Sequence, residues 1–358
     1  MTSMAAMPDP VPSHRTVTGR YAVTDQAHIG LDPDRNLALE LVRATEAAAI
    51  GGARHLGRGD KEAVDQAAVD AMRPVLGSIA MDGVVVIGEG EKDNAPMLYN
   101  GERVGDGTPP EVDIAVDPVD GTTLTAKSLP NAIAVVALAE RGTMFDPGPC
   151  VYMEKLAVGR DAAAVVDFEA PIEDNLRRIA QAKGSDVTEL TVCILDRPRH
   201  EEELVGRVRA TGARIKFLLD GDVAGAIMAA REETGVDVAV GIGGTPEGVI
   251  TACALKCLGG ALFGRLWARN DQERRAALDQ GYDLDKVLSI DDLVRGDNVF
   301  FAATGVTDGE LLRGVRFQHH EVLTQSLSMR SKSGAVRLID ARHQLDRSNL
   351  VPRPRPRP

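Results

Sequence analysis

The chain has 358 residues, room for about two units of ~150 residues or one large domain in two parts, with a sizeable core. Apolar residues make up 44% and charged residues 26% of it, a globular balance that excludes disorder, collagen and a fibrous rod. With 41 Lys and Arg against 53 Asp and Glu, the net charge of −12 argues against nucleic-acid and membrane-headgroup partners and allows a local cluster of carboxylates.

In chain order, residues 1–34 are rich in small, polar and proline residues and lack a basic head followed by an apolar core. They read as a flexible arm, not as a signal peptide. Leu37, Leu41, Ala44 and Ala48 then recur at helical spacing, which predicts an amphipathic helix over 36–51. A second helix is expected over 61–79, and a strand over 84–87 between Gly83 and Gly88. Residues 113–116 predict a strand stopped by Asp117-Pro118, and 132–139 a buried strand. Further on, β-rich runs at 190–195, 214–219 and 236–240 lead through polar or glycine punctuation into helical patterns over 201–210, 223–231 and 247–258. The longest apolar runs fall far short of the ~20 residues that span a bilayer, so no membrane association is expected. The Arg-Pro alternation at the end predicts a tail, 344–358, that cannot pack. Cys150, Cys193, Cys253 and Cys257 are too sparse for a disulfide framework, which fits a reducing cytoplasm. Cys253 and Cys257 have no neighbouring His or second Cys pair and read as core, not zinc ligands. The layout is layered α/β, with sites expected where strands end and helices begin.

Four segments place acids at such points. Asp117-Pro118-Val119-Asp120-Gly121-Thr122 follows an apolar strand, so two carboxylates three apart can face one centre from the same turn. Gly88-Glu89-Gly90-Glu91-Lys92-Asp93 repeats that position after another strand. Gly59-Asp60-Lys61 opens the second helix, with Asp65 on the face of Lys61. The run 241–248 offers Thr245 as N-cap, Pro246 at the first helical position and Glu247 in the first turn. Each segment alone also reads as a solvated turn or surface ion pair, and it is their recurrence that points to hard oxygen ligands for divalent ions beside a phosphate. The glycines of the fourth segment do not complete a dinucleotide fingerprint, because Pro246 stands where the third glycine would be. No Walker A run occurs either.

The segments 57–61, 88–91 with 95–99, 117–122, 152–155 and 243–248 resemble, in order and spacing, the class II fructose-1,6-bisphosphatases of bacteria over about 35–343. The 117–122 motif alone would mark only the wider lithium-sensitive phosphatase superfamily, which includes inositol and nucleotide phosphatases. The resemblance implies an α/β/α/β/α sandwich with an N-terminal metal and phosphatase half over 35–189 and a half over 190–343 that completes the active site. It also implies two or more Mg2+ or Mn2+ ions, a homo-oligomer (tetramer or dimer) and removal of the 1-phosphate of fructose 1,6-bisphosphate. Carried over, Asp65 and Glu89 would hold one ion, and Asp117, Asp120 and Glu247 the other. Gly121 and Thr122 would hold the scissile phosphate beside Asp120, Thr122 would also orient the attacking water, and Asp93 would handle its proton. Lys61 would support the metal site or offset phosphate charge. The remaining substrate contacts would be Tyr152, Arg197-Pro198-Arg199, Asp220-Gly221-Asp222 and Gly244. Two arginines separated by one residue suit a distal phosphate, and the aspartates suit sugar hydroxyls. Tyr152 also reads as a core or interface aromatic, Arg197 as a solvated charge, and His200 as a local hydrogen-bond partner. Alternatives left open are a phosphatase for sedoheptulose 1,7-bisphosphate or for an inositol or nucleotide phosphate, and a sugar-phosphate sensor without chemistry.

Overall fold

The run 132–139 has no polar face because, once folded, it has no solvent face. In the computed structural model, which describes residues 37–90 and 97–344, it forms the strand Ile133–Glu140. Ile133, Val135 and Ala137 point into one core, and Ala134, Val136 and Leu138 into another. The arm expected over 1–34, Asp93, and the Arg-Pro tail apart from Gln344 lie outside the described residues.

Ile133–Glu140 runs antiparallel between Glu111–Asp120 and Phe300–Gly305. Asp82–Ile87 adds a parallel neighbour to Glu111–Asp120, and Glu321–Arg330 with Ala335–Gln344 extends the other side. Among the described residues this sheet has eight strands. The helices Leu37–Ala53 and Lys61–Leu76 cover one face, packing Leu41, Ala48, Val64 and Met72 with Ile114, Val136 and Phe300. Asp60 caps the second helix, its carboxylate accepting from Ala63 N at 3.0 Å.

A second sheet, of six strands among the described residues, is centred on Tyr152–Val158, which lies antiparallel between Val238–Gly244 and Ala261–Trp267. Thr191–Leu195 pairs in parallel with Val238–Gly244 and Arg214–Leu218. The helices Thr245–Leu258 and Asp222–Ala229 fill the space between the sheets, with Ile227, Val249, Cys253 and Leu255 fully enclosed. On the far face, Leu176 and Ile179 of Ile172–Lys183 and Val208 of Gly206–Ala210 pack against Leu156, Val192 and Val238. The layers are therefore α/β/α/β/α. Residues 189 and 190 fall within the stretch that builds the second sheet, 152–289, while the first takes 82–140 and 300–344.

Two boundaries differ from expectation for tertiary reasons. The strand expected to stop at Asp117-Pro118 continues to Asp120, with a register irregularity between Asp117, opposite Val135, and Asp120, opposite Ile133. At such a bulge the missing N–H of Pro118 costs no ladder bond, and Asp117 Oδ1 takes up Val119 N at 2.9 Å instead. The strand expected to end at Val240 runs through the glycines to Gly244, because Tyr152–Val158 supplies a partner for each of them. The following helix starts at Thr245, with Gly244 and not Thr245 in the capping position, and Glu247 remains in its first turn. The four cysteines are buried and free. No helix among the described residues is long and apolar enough to cross a membrane.

Candidate active site

Strand ends from both sheets open onto one cavity of about 400 Å³. Asp65 enters it from the second turn of the Lys61–Leu76 helix, and Glu89 from just past Asp82–Ile87. Asp117 and Asp120 come from the end of Glu111–Asp120, Gly121 and Thr122 from the start of the Thr122–Lys127 helix that follows, and Gly244 and Glu247 from the junction after Val238–Gly244. Asp220, Gly221 and Asp222 follow Arg214–Leu218, Arg197 and Arg199 follow Thr191–Leu195, and Tyr152 begins its own strand. The carboxylates expected from sequence thus share one cleft although they arise from separate segments. Pro198, which starts the short Pro198–His200 helix, does not line the cleft. Nor does Lys61, which is exposed on the first helical turn and lowers the Asp65 pKa only through its charge. Asp93 lies outside the described residues.

Hydrogen bonds fix several of these groups. Thr122 Oγ1 donates to Asp65 Oδ1 at 2.7 Å, with Val119 O at 3.2 Å as a second acceptor. Asp120 Oδ2 accepts from Val223 N at 3.2 Å, and Asp220 Oδ2 from Thr123 N at 3.3 Å, so backbone of one segment orients acids of another. Arg197 is held by Asp220 Oδ1 at 2.9 Å and Leu219 O at 2.6 Å. Arg199 donates to Ile242 O at 2.9 Å and lies over the Tyr152 ring at 4.8 Å. His200 is the local partner it was read as, bonded to Leu195 O through Nδ1 at 2.7 Å and accepting from Ile242 N at Nε2 at 2.8 Å.

Packing acids this densely raises their pKa values. Desolvation pushes Asp117 and Asp120 well above the usual range, and neighbouring carboxylates add to it, first Asp120 for Asp117 and first Asp222 for Asp120. Glu247 rises by burial and then by Asp222. Asp65 also rises, chiefly by desolvation. Glu89 is pushed up to about 7 by desolvation against the cleft wall, then by Asp65 and Glu247, although the residue keeps an exposed face. Glu247 Oε2 and Asp222 Oδ1 are buried without a hydrogen-bond partner. Such a crowd of ionisable oxygens calls for cations. Among the described residues no three acids form a group that could by itself hold an ion. A divalent ion in this cleft would need water or phosphate oxygens beside the acids to complete its shell.

Three participants escaped the sequence reading. Lys155, in a motif already noted, ion-pairs with Asp222 and donates to Gly244 O at 2.8 Å. Trp267 meets Tyr152 edge-on at 6.2 Å, and Arg269 lies 5.7 Å from the same ring. The signal for the last two is a strand pairing, Tyr152 opposite Trp267, which no local pattern contains.

Five alternating layers and an acid-crowded cleft with arginines in its wall place the chain among the layered α/β phosphatases. Sequence comparison then narrows the class. The family model described as bacterial fructose-1,6-bisphosphatase, glpX-encoded, matches residues 35–343, and the chain belongs to that family. Fructose-1,6-bisphosphatase 1 class 2 of Escherichia coli K12 is 45% identical over 328 residues, covering 88% of this chain and 97% of its own. Fructose-1,6-bisphosphatases class 2 of Escherichia coli O6:H1 and Shigella flexneri match with the same identity and coverage. Membership of this phosphatase family implies dependence on a divalent metal.

Proposed function

We propose that the chain hydrolyses the 1-phosphate of fructose 1,6-bisphosphate, releasing fructose 6-phosphate and inorganic phosphate in gluconeogenesis, with Mg2+ or Mn2+ as cofactor. The observation that carries this reading is the convergence of Asp65, Glu89, Asp117, Asp120 and Glu247 on the cleft that also contains Arg197 and Arg199. In it, Asp65 and Glu89 would hold one ion, and Asp117, Asp120 and Glu247 would serve the other, these three having to draw closer around it than they stand in the metal-free cleft. When bound, the ions supply charge to the phosphate and to the developing negative oxygens.

The protein's own groups do the positioning. Because Thr122 gives its hydroxyl proton to Asp65, the oxygen presents lone pairs and can accept from a water, which orients that water for attack. Gly121, with φ +95°, turns the chain so that the Thr122 segment faces the ester. Asp93 takes the water proton in this reading, and Lys61 offsets charge at Asp65. Arg199, steadied by Tyr152, faces the distal phosphate with Arg197, while Asp220, Asp222 and Gly244 bound the sugar. Cytoplasmic residence is supported by the four free cysteines. A homo-oligomer, tetramer or dimer, is supported by Val336 and Leu338, exposed apolar side chains on the Ala335–Gln344 strand.

The test is phosphate release from a panel of sugar bisphosphates and monophosphates, sedoheptulose 1,7-bisphosphate and inositol phosphates included, with Mg2+, Mn2+ or EDTA. Rapid, EDTA-sensitive release from fructose 1,6-bisphosphate is expected. No release from any of them would leave a sensor, and preference for another ester would reassign the substrate.

A further inference from the structure

Lys155 sits on the Tyr152–Val158 strand with its side chain only 10% exposed. An ammonium so enclosed is costly unless firmly paired. Its partners are Asp222 Oδ2 and, at 2.8 Å, the carbonyl of Gly244. It does not line the main cleft but borders a smaller adjoining cavity of about 40 Å³. The glycines above it leave room for this arrangement. A Cβ on Gly243 would overlap Asp222 Oδ2 and come within 2.9 Å of Lys155 Cε, and a Cβ on Gly244 would overlap Glu247 Oε2. The other oxygen of Asp222 and the Oε2 of Glu247 remain buried and without hydrogen-bond partners. One end of Asp222 is thus anchored by the lysine while the other is left for something the protein does not provide. The two acids after Arg214–Leu218 are each gripped by one cation, Asp220 by Arg197 and Asp222 by Lys155.

We propose that Lys155 is a positioning residue for the hydrolysis, reaching through the space left at Gly243 to hold the Asp222 carboxylate and the strand end from which Glu247 departs. It touches no substrate and acts through these two acids. The proposal rests on the reading that places Asp222 and Glu247 in the reactive site. It explains why a strand ending at a catalytic junction carries consecutive glycines, and why a lysine is enclosed beside them.

The experiment compares Lys155→Met, Asp222→Asn and the double variant, with kcat and KM for fructose 1,6-bisphosphate at saturating Mg2+. Each single change is expected to lower kcat/KM on the order of 10- to 100-fold, as displaced site groups do. If the lysine works through Asp222, adding Lys155→Met to Asp222→Asn costs no more than about threefold further, since effects within a contacting pair do not add. Lys155→Arg, which keeps the charge, should recover part of the loss. Circular dichroism and thermal melts report folding. Should Lys155→Met fail to fold, the double variant, which removes both charges together, still carries the comparison with Asp222→Asn. Near-normal turnover in Lys155→Met beside a crippled Asp222→Asn, or the same factor lost in both backgrounds, would overturn the proposal alone. Near-normal turnover in Asp222→Asn would overturn the site reading beneath it.

Discussion

The hydroxyl of Thr122 donates to Asp65 at 2.7 Å, joining residues 57 positions apart in the chain. One opens the short helix Thr122–Lys127 that follows a strand, and the other comes from a helix on the outer face of the same sheet. The bond settles which way the hydroxyl faces, and hence whether it can orient a water. Thr122→Ala should therefore lower kcat on the order of 100-fold with KM little changed, whereas Thr122→Ser should stay within about tenfold of the parent. Steady-state kinetics on both variants check this, and an active alanine variant would remove the hydroxyl from the mechanism.

Asp117→Asn and Glu247→Gln remove charge from the most crowded part of the cleft. Each should lower turnover by about 100-fold or more, by comparison with the loss of other preorganised electrostatic groups. Neither should unfold the metal-free chain, because each relieves repulsion among buried acids. Rates with Mg2+ or Mn2+, set beside thermal melts in EDTA, test both halves of the expectation.

Gly244 has an ordinary φ of −66°, so alanine introduces no backbone strain there. The added methyl would instead meet the Glu247 carboxylate. Gly244→Ala is expected to show a loss like that expected of Glu247→Gln while folding normally. Full activity in the alanine variant would show that Glu247 works from another position.

Stability without metal should depend on pH in a direction set by the raised carboxyls. Between the ordinary glutamate value of 4.5 and about 7, Glu89 keeps a proton in the folded chain that the unfolded chain has lost. Folding stability in EDTA therefore falls as pH rises through that window, and Asp117, Asp120 and Glu247 add to the fall in the same direction. Divalent cations bind the ionised forms, so Mg2+ should raise the melting midpoint more at about pH 8 than at about pH 5.5. Equal shifts at the two pH values would separate metal binding from these acids.

Much of this site was legible from local chemistry. An apolar strand halted by Gly88-Glu89, and another leading into Asp117 to Thr122, mark where acids emerge at a sheet edge. Gly59-Asp60-Lys61 marks the start of the second helix, and the structure seats Asp60 as its cap. The absent third glycine in 241–248 excluded a dinucleotide before any fold was known. These signals work because strand exits, helix starts and tight turns are governed by residues within a few positions of one another.

What the chain order could not convey is register. That Tyr152 lies opposite both Gly244 and Trp267 follows from two long-range strand pairings, and from them come the stacked Arg199 and Arg269 and the Lys155 grip on Asp222. The same pairing carried the strand on through Gly241 to Gly244, where propensity alone would have ended it. Residue types and their immediate spacing therefore determined which groups could do chemistry. Only the packed sheets decided which of them meet, because a contact between distant segments is set by the energy of the whole core and not by either segment's own sequence.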